Sequence, residues 1–146
     1  MAMLDIELLD PIKLPLVTRL YKQYYPSKPK RDELIYVGYH QKQLCAVVRF
    51  RTIERYRLLT GMLVSPQYQG KGFGHQLLKY CEHNILTQAD YCFAYEHLEA
   101  FYRAHGFETV IADDLPGALK GLYLRYTSSG KKLVAMQFSP LDVPVD

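Results

Sequence analysis

Leu63-Val-Ser-Pro-Gln-Tyr-Gln-Gly-Lys-Gly-Phe-Gly-His-Gln-Leu-Leu78 is the stretch that decides the fold. An apolar run ends at Ser65-Pro66, and glycines follow at 70, 72 and 74. From Phe73 the period changes: Leu77, Leu78, Cys81, Ile85 and Leu86 fall at helical spacing, to about Thr87. The segment reads as strand, glycine-rich turn, helix. A turn of this kind offers several main-chain N–H groups at the positive end of a helix dipole. It can hold a pyrophosphate with few charged side chains, and Lys71 adds one cation.

Two phosphate-loop patterns do not fit. A Walker A loop needs a first Gly separated by four residues from a Gly-Lys pair, then Ser or Thr. Here those positions hold Ser65 and Gly72. The dinucleotide fingerprint needs a third Gly or Ala, yet it meets His75 when counted from Gly70 and Leu77 when counted from Gly72.

Upstream, a strand runs from about Arg57 to Val64, and Gly61 inside it marks a bulge or a close approach to the backbone. Leu34 to Tyr39 and Leu44 to Phe50 are rich in β-branched and aromatic residues. The polar link Gln41-Lys42-Gln43 joins them as a hairpin. Ile6 to Leu9 is a further short strand. Leu16, Val17, Leu20, Tyr21 and Tyr24 define a helix from Pro15 to about Tyr25. The basic, proline-punctuated stretch Pro26-Ser-Lys-Pro-Lys-Arg31 ends that helix and reads as solvated surface.

Downstream, Tyr91 to Tyr95 is a buried strand. Leu98, Phe101, Tyr102 and His105 form a short helix closed by Gly106. Phe107 to Ile111 is a strand, Leu115 to Tyr126 a helix and Lys132 to Phe138 a last strand, before a proline-bearing tail. Neither a repeat nor a linker interrupts residues 1–146, so one mixed α/β domain is expected. Its strand–helix–strand unit from Arg57 to Tyr95 should be parallel and right-handed.

Bulk composition narrows the function. A formal charge of +3 suits a polyanionic small ligand but falls short of the charge density that argues for nucleic acid. Cys45, Cys81 and Cys92 lack metal-ligand spacing and sit in apolar stretches, as core thiols do. The first residues, Met-Ala-Met-Leu-Asp-Ile-Glu, carry no basic or apolar leader pattern, and no run approaches a membrane span. A cytoplasmic protein without metal, nucleic-acid or membrane partners is expected.

Gln69-x-x-Gly72-x-Gly74, between a strand ending Val64-x-Pro66 and paired leucines, resembles the pyrophosphate motif of the GNAT superfamily of acyl-CoA-dependent N-acyltransferases. Phe101-Tyr-Arg-Ala-His-Gly-Phe107 resembles that family's F-Y-x-x-x-G-F segment, and the element order agrees from Ile6 to Phe138. The resemblance implies a central mixed sheet of about seven strands with helices on both faces. Its parallel fourth and fifth strands would splay to form a cleft for acetyl-CoA. Pantetheine would lie along Met62, Leu63 and Val64, and the pyrophosphate on the amides of Gln69, Gly70, Lys71, Gly72, Phe73, Gly74 and His75. A small-molecule or peptide amine would attack the thioester directly in a ternary complex. Tyr102 would protonate the leaving thiolate, because a phenol with an ordinary pKa of about 10 still holds its proton at neutral pH. The assembly would be a monomer or a homodimer.

The chain departs from the family pattern in two places. Tyr95-Glu96-His97 occupies a region where many relatives carry a pantetheine-binding Asn, and the Arg57-to-Val64 strand has no Glu to act as base, only Thr60. Deprotonation of the amine falls to an ordered water, Glu96, Glu54 or a histidine. These departures leave a second reading, a non-catalytic acyl-CoA-binding sensor or subunit. On the acceptor side, Arg49 and Arg51 share a strand face and could select an acidic group or be solvated. Tyr24 and Tyr25 are candidate pocket walls, and thirteen tyrosines without a tryptophan allow an aromatic-lined acceptor space.

Overall fold

The computed structural model describes residues 3–25 and 27–140; Pro26 and the end of the proline-bearing tail lie outside the described residues. The chain is a mixed α/β fold with strands β1 (Asp5–Leu8), β2 (Leu34–His40), β3 (Gln43–Ile53), β4 (Tyr56–Val64), β5 (Asp90–Tyr95), β6 (Phe107–Thr109) and β7 (Leu133–Phe138). Its helices are α1 (Leu14–Tyr24), α2 (Phe73–Asn84), α3 (Glu99–Arg103) and α4 (Gly117–Ser128). The seven strands form one mixed sheet in the order β1-β2-β3-β4-β5-β7-β6, with β4 and β5 parallel.

Backbone contacts gather the chain into two units, Met1–Arg51 with Leu59–His83, and Thr52–Leu58 with Asn84–Asp146. In the first unit β1, β2 and β3 form an antiparallel ladder. Gln41 and Lys42 turn the β2–β3 hairpin with φ of 50° and 64°, both left-handed, as a two-residue turn matched to strand twist requires. Residues 45–50 of β3 are all buried, so that strand is covered on both faces. Val17 and Tyr21 of α1 pack with Ile35, Val37, Val47 and Leu63 into the core of this unit.

In the second unit β7 lies antiparallel to both β5 and β6. Leu58, Tyr91, Leu119, Leu122 and Ala135 form its core. Asp90 is fully buried and takes a two-pronged contact from Arg57, Nε to Oδ1 at 2.8 Å and Nη2 to Oδ2 at 2.7 Å. Its Oδ2 also accepts from the Thr87 N–H at 2.8 Å, and Arg57 Nη2 reaches the Ile85 carbonyl at 2.8 Å. These bonds draw residues 85–87 out of the helix. That is why α2 stops at Asn84 although Ile85 and Leu86 continue its apolar spacing.

Other boundaries shift for local reasons. Leu115 is extended before Pro116, so α4 starts at Gly117 rather than at Leu115. A 3-10 turn at Ala112–Asp114 shortens β6 to Thr109. No helix among the described residues is long and apolar enough to cross a membrane.

None of the three cysteines forms a disulfide, and all three are buried. Burial pushes the Cys45 thiol up to about 11, and it raises the Cys92 thiol as well. Iodoacetamide at pH 8 is therefore expected to leave the native mass unchanged and to add three carbamidomethyl groups once the chain is unfolded. Adducts on the native protein would show that the thiols are reached by solvent.

Candidate functional site

The glycine-rich turn leaves β4 through Ser65, whose N–H donates to the Cys45 carbonyl at 2.9 Å. A 3-10 turn at Pro66–Tyr68 follows, and Gln69 is extended. The Gln69 side-chain Nε2 donates back to the Val64 carbonyl at 3.0 Å, tying the turn to the end of β4. Gly70 and Gly72 have φ of +81° and +79°, a region in which a side chain is strained. A Cβ at either position would meet nothing within 4 Å. The backbone is thus left-handed at two points beside open space. The first bond of α2 runs from the Gln76 N–H to the Gly72 carbonyl at 3.0 Å. The N–H groups of the opening turn have no carbonyl within the helix to accept them.

Phe73 anchors the helix start. Its ring is 1 % exposed and lies 5.5 Å from His40 and 6.1 Å from Tyr68. Gln69, Gly70, Lys71, Gly72 and His75 are exposed, and Gly74 is half-buried. In β4, Leu63 faces the core while Met62 and Val64 are half-buried on the other face. A main chain flanked by half-buried side chains and a cradle of exposed glycine amides can take an extended amide chain ending in a diphosphate.

Just upstream, β4 is kinked. Gly61 has φ of +58°, and a Cβ there would lie 2.8 Å from the Arg49 Nη1 and 3.2 Å from the Tyr21 ring. In the sequence Gly61 marks a bulge or a close approach; in the structure the protein's own Arg49 and Tyr21 approach it. The fully buried Tyr21 hydroxyl donates to the Gly61 carbonyl, and burial raises its pKa strongly. Arg49 stacks 4.8 Å above the Tyr21 ring. Its Nε and Nη2 fork onto Glu33 at 3.0 and 2.9 Å, and Nη2 also donates to the Lys28 carbonyl at 3.1 Å. Nη1 reaches the Ser27 carbonyl at 3.3 Å. The Arg49 and Glu33 side chains are each 4 % exposed. Arg49, a candidate for acceptor selection, thus spends its donors within the chain, whereas Arg51 is exposed. Tyr21 and Glu33 were not singled out from sequence.

Tyr24 is 49 % exposed at the end of α1. Tyr102 belongs to the second unit, in α3, 7 % exposed, with its ring 5.2 Å from Phe101 and 5.8 Å from Phe107. Glu96 is exposed at the end of β5, and its N–H donates to the Lys132 carbonyl at 3.3 Å. Among the described residues, no group of three or more His, Cys, Asp or Glu is arranged to hold a metal ion.

The strand order and the glycine turn before α2 define an acetyltransferase-like fold, and solved structures share it. N-acetylglutamate synthase from Neisseria gonorrhoeae, complexed with coenzyme A and N-acetyl-glutamate, matches 97 % of this chain at 17 % identity and a TM-score of 0.74. The match takes in 36 % of that enzyme, so the chain spans about a third of its length. Ribosomal-protein-S18-alanine N-acetyltransferase from Escherichia coli matches over 99 % of this chain and 98 % of its own, at 15 % identity and a TM-score of 0.67. An acyl-CoA N-acyltransferase from Pseudomonas aeruginosa matches over 94 % and 100 %, at 19 % identity and a TM-score of 0.64. No curated protein matches the chain by sequence. The family model for the acetyltransferase (GNAT) domain matches residues 31–109, more than half of the chain. The chain belongs to the GNAT acetyltransferase family.

Proposed function

We propose that this chain transfers an acetyl group from acetyl-CoA to a primary amine. The observation that carries the reading is the pair of left-handed glycines, Gly70 and Gly72, beside open space at the start of α2. Amides from Gln69 to His75 bind the diphosphate, and the β4 backbone at Met62, Leu63 and Val64 binds the pantetheine. The amine nitrogen then attacks the thioester carbon, and the C–S bond breaks as the tetrahedral intermediate collapses. The Tyr102 hydroxyl gives its proton to the departing sulfur, and the extra proton on the amine leaves to water or to a base on the chain. The acceptor is an amine on a small molecule or a peptide, with Tyr24 and Glu96 as candidates on the acceptor side; Arg49, buried with its donors taken by Glu33, Ser27 and Lys28, is not one of them.

Calorimetric titration with CoA tests the first step. A Cβ placed at Gly72 meets nothing in the protein and costs about 1–2 kcal/mol of backbone strain. Gly72→Ala is therefore expected to stay folded and to bind CoA at least ~10-fold more weakly, since the methyl group intrudes where backbone must approach phosphate. Wild-type protein that gives no heat with CoA at millimolar concentration would end both the enzyme and the silent-binder readings.

A further inference from the structure

A groove of about 650 Å³ is lined by the turn before α1, by α1 itself and by Arg31 from the segment after it. Pro11, Ile12 and Pro15 supply its apolar lining and Arg19, Lys22 and Arg31 its charge; no carboxylate lines it. Its volume falls in the range of about 300–1,000 Å³ typical of ligand-holding clefts. Ile12 is left 81 % exposed, and Arg19, Lys22 and Arg31 are exposed too. None of these three cations pairs with an acid among the described residues, and the nearby Asp10 carboxylate accepts from its own cap at the Ile12 N–H. Three cations without an ion-pair partner among the described residues thus surround apolar side chains.

The groove is also braced from behind. One wall, α1, carries Tyr21, on whose ring Arg49 stacks. The other wall is held where Arg49 takes the Ser27 and Lys28 carbonyls and the Glu33 carboxylate, two residues beyond Arg31. The buried guanidinium therefore fixes both walls, and Tyr21 links them to the kink at Gly61 in β4. A pre-organised site loses less free energy in ordering when a partner docks.

We infer that this groove docks an extended acidic peptide segment, with Asp or Glu side chains on the cations and intervening apolar side chains on Ile12 and the prolines. Charge complementarity selects the partner's sign. No aromatic ring lines the groove to stack a nucleobase, which disfavours single-stranded nucleic acid, and its concave shape disfavours a bilayer. Resting on the transfer reading, this makes the amine acceptor part of a polypeptide that carries an acidic stretch.

The test uses the full chain and a fluorescein-labelled ten-residue peptide of alternating Glu and Leu, read by anisotropy. Its counterparts are an Arg–Leu peptide of the same length and phosphatidylserine-containing vesicles. The Glu–Leu peptide should bind, and should weaken at least ~10-fold between about 0.05 and about 0.5 M NaCl. Reversing the exposed cations together, Arg19→Glu, Lys22→Glu and Arg31→Glu, should weaken it by at least as much while CoA heats stay unchanged. No binding, equal binding of the Arg–Leu peptide, affinity undiminished by the reversal, or vesicle binding abolished by the same reversal each overturns the inference. Peptide binding without CoA binding would remove the transfer reading and leave the groove standing.

Discussion

Tyr102→Phe is expected to lower acetyl transfer by about 10²–10⁴-fold while leaving CoA affinity unchanged. In energy that is a barrier higher by about 3–5 kcal/mol. The substitution removes one oxygen and keeps the ring, so the edge-on packing against Phe101 and Phe107 survives. Because the ring stays, unchanged CoA affinity alongside a fallen rate would point to the missing proton rather than to a disturbed site. The measurement is thiol release from acetyl-CoA across a panel of primary amines, with CoA binding followed by calorimetry on the same preparations. A Phe variant with full turnover would reduce Tyr102 to a wall of the pocket. Wild-type protein that binds CoA but releases no thiol with any amine would favour the non-catalytic reading, which the missing Asn near Glu96 and the missing carboxylate in β4 keep open.

Arg49→Ala should cost about 3–5 kcal/mol of stability, because it strands the Glu33 carboxylate, 4 % exposed, without its counter-ion. Thermal unfolding should fall by on the order of 10 °C. Glu33→Ala should lose a similar amount for the mirror-image reason. Arg49→Lys should not recover it, since an ammonium cannot fork onto a carboxylate, stack on Tyr21 and reach two carbonyls together. The informative variant is the double, Arg49→Met with Glu33→Leu, which removes both charges and should regain much of the loss. Denaturant melts that instead show the two single losses adding up would mean the charges are solvated and brace nothing.

Most of the fold could be read from local pattern. The strand-to-helix switch at Phe73, the hairpin at Gln41 and Lys42 and the run of β-branched residues in β3 each state their own conformation. The glycine turn was equally legible, because left-handed backbone without a side chain leaves its mark as Gly70 and Gly72. The brace was not. Arg49 looks like any charged residue on a strand, and its partner Glu33 lies 16 residues away, just before the other strand of the β2–β3 hairpin. The hairpin brings β2 and β3 together, but its register shifts between Gly38 and Tyr39, so which residues meet across it is set only in the folded chain. Gly61 was the one trace of it in the sequence, and a glycine records a close approach without naming what approaches. The early end of α2 has the same origin, since the pull of Asp90 and Arg57 on residues 85–87 is a tertiary effect laid over a helical pattern.

Arg49 grips the segment after α1 largely by its main chain, through the carbonyls of Ser27 and Lys28. A hold of that kind is indifferent to most of what the gripped residues carry. The exposed side chains of Lys28, Lys30, Arg31 and Asp32 can therefore be rewritten, by drift or by design, while the path of the chain stays as it is. New specificities could be tried there one residue at a time, on a rim whose shape is guaranteed from beneath.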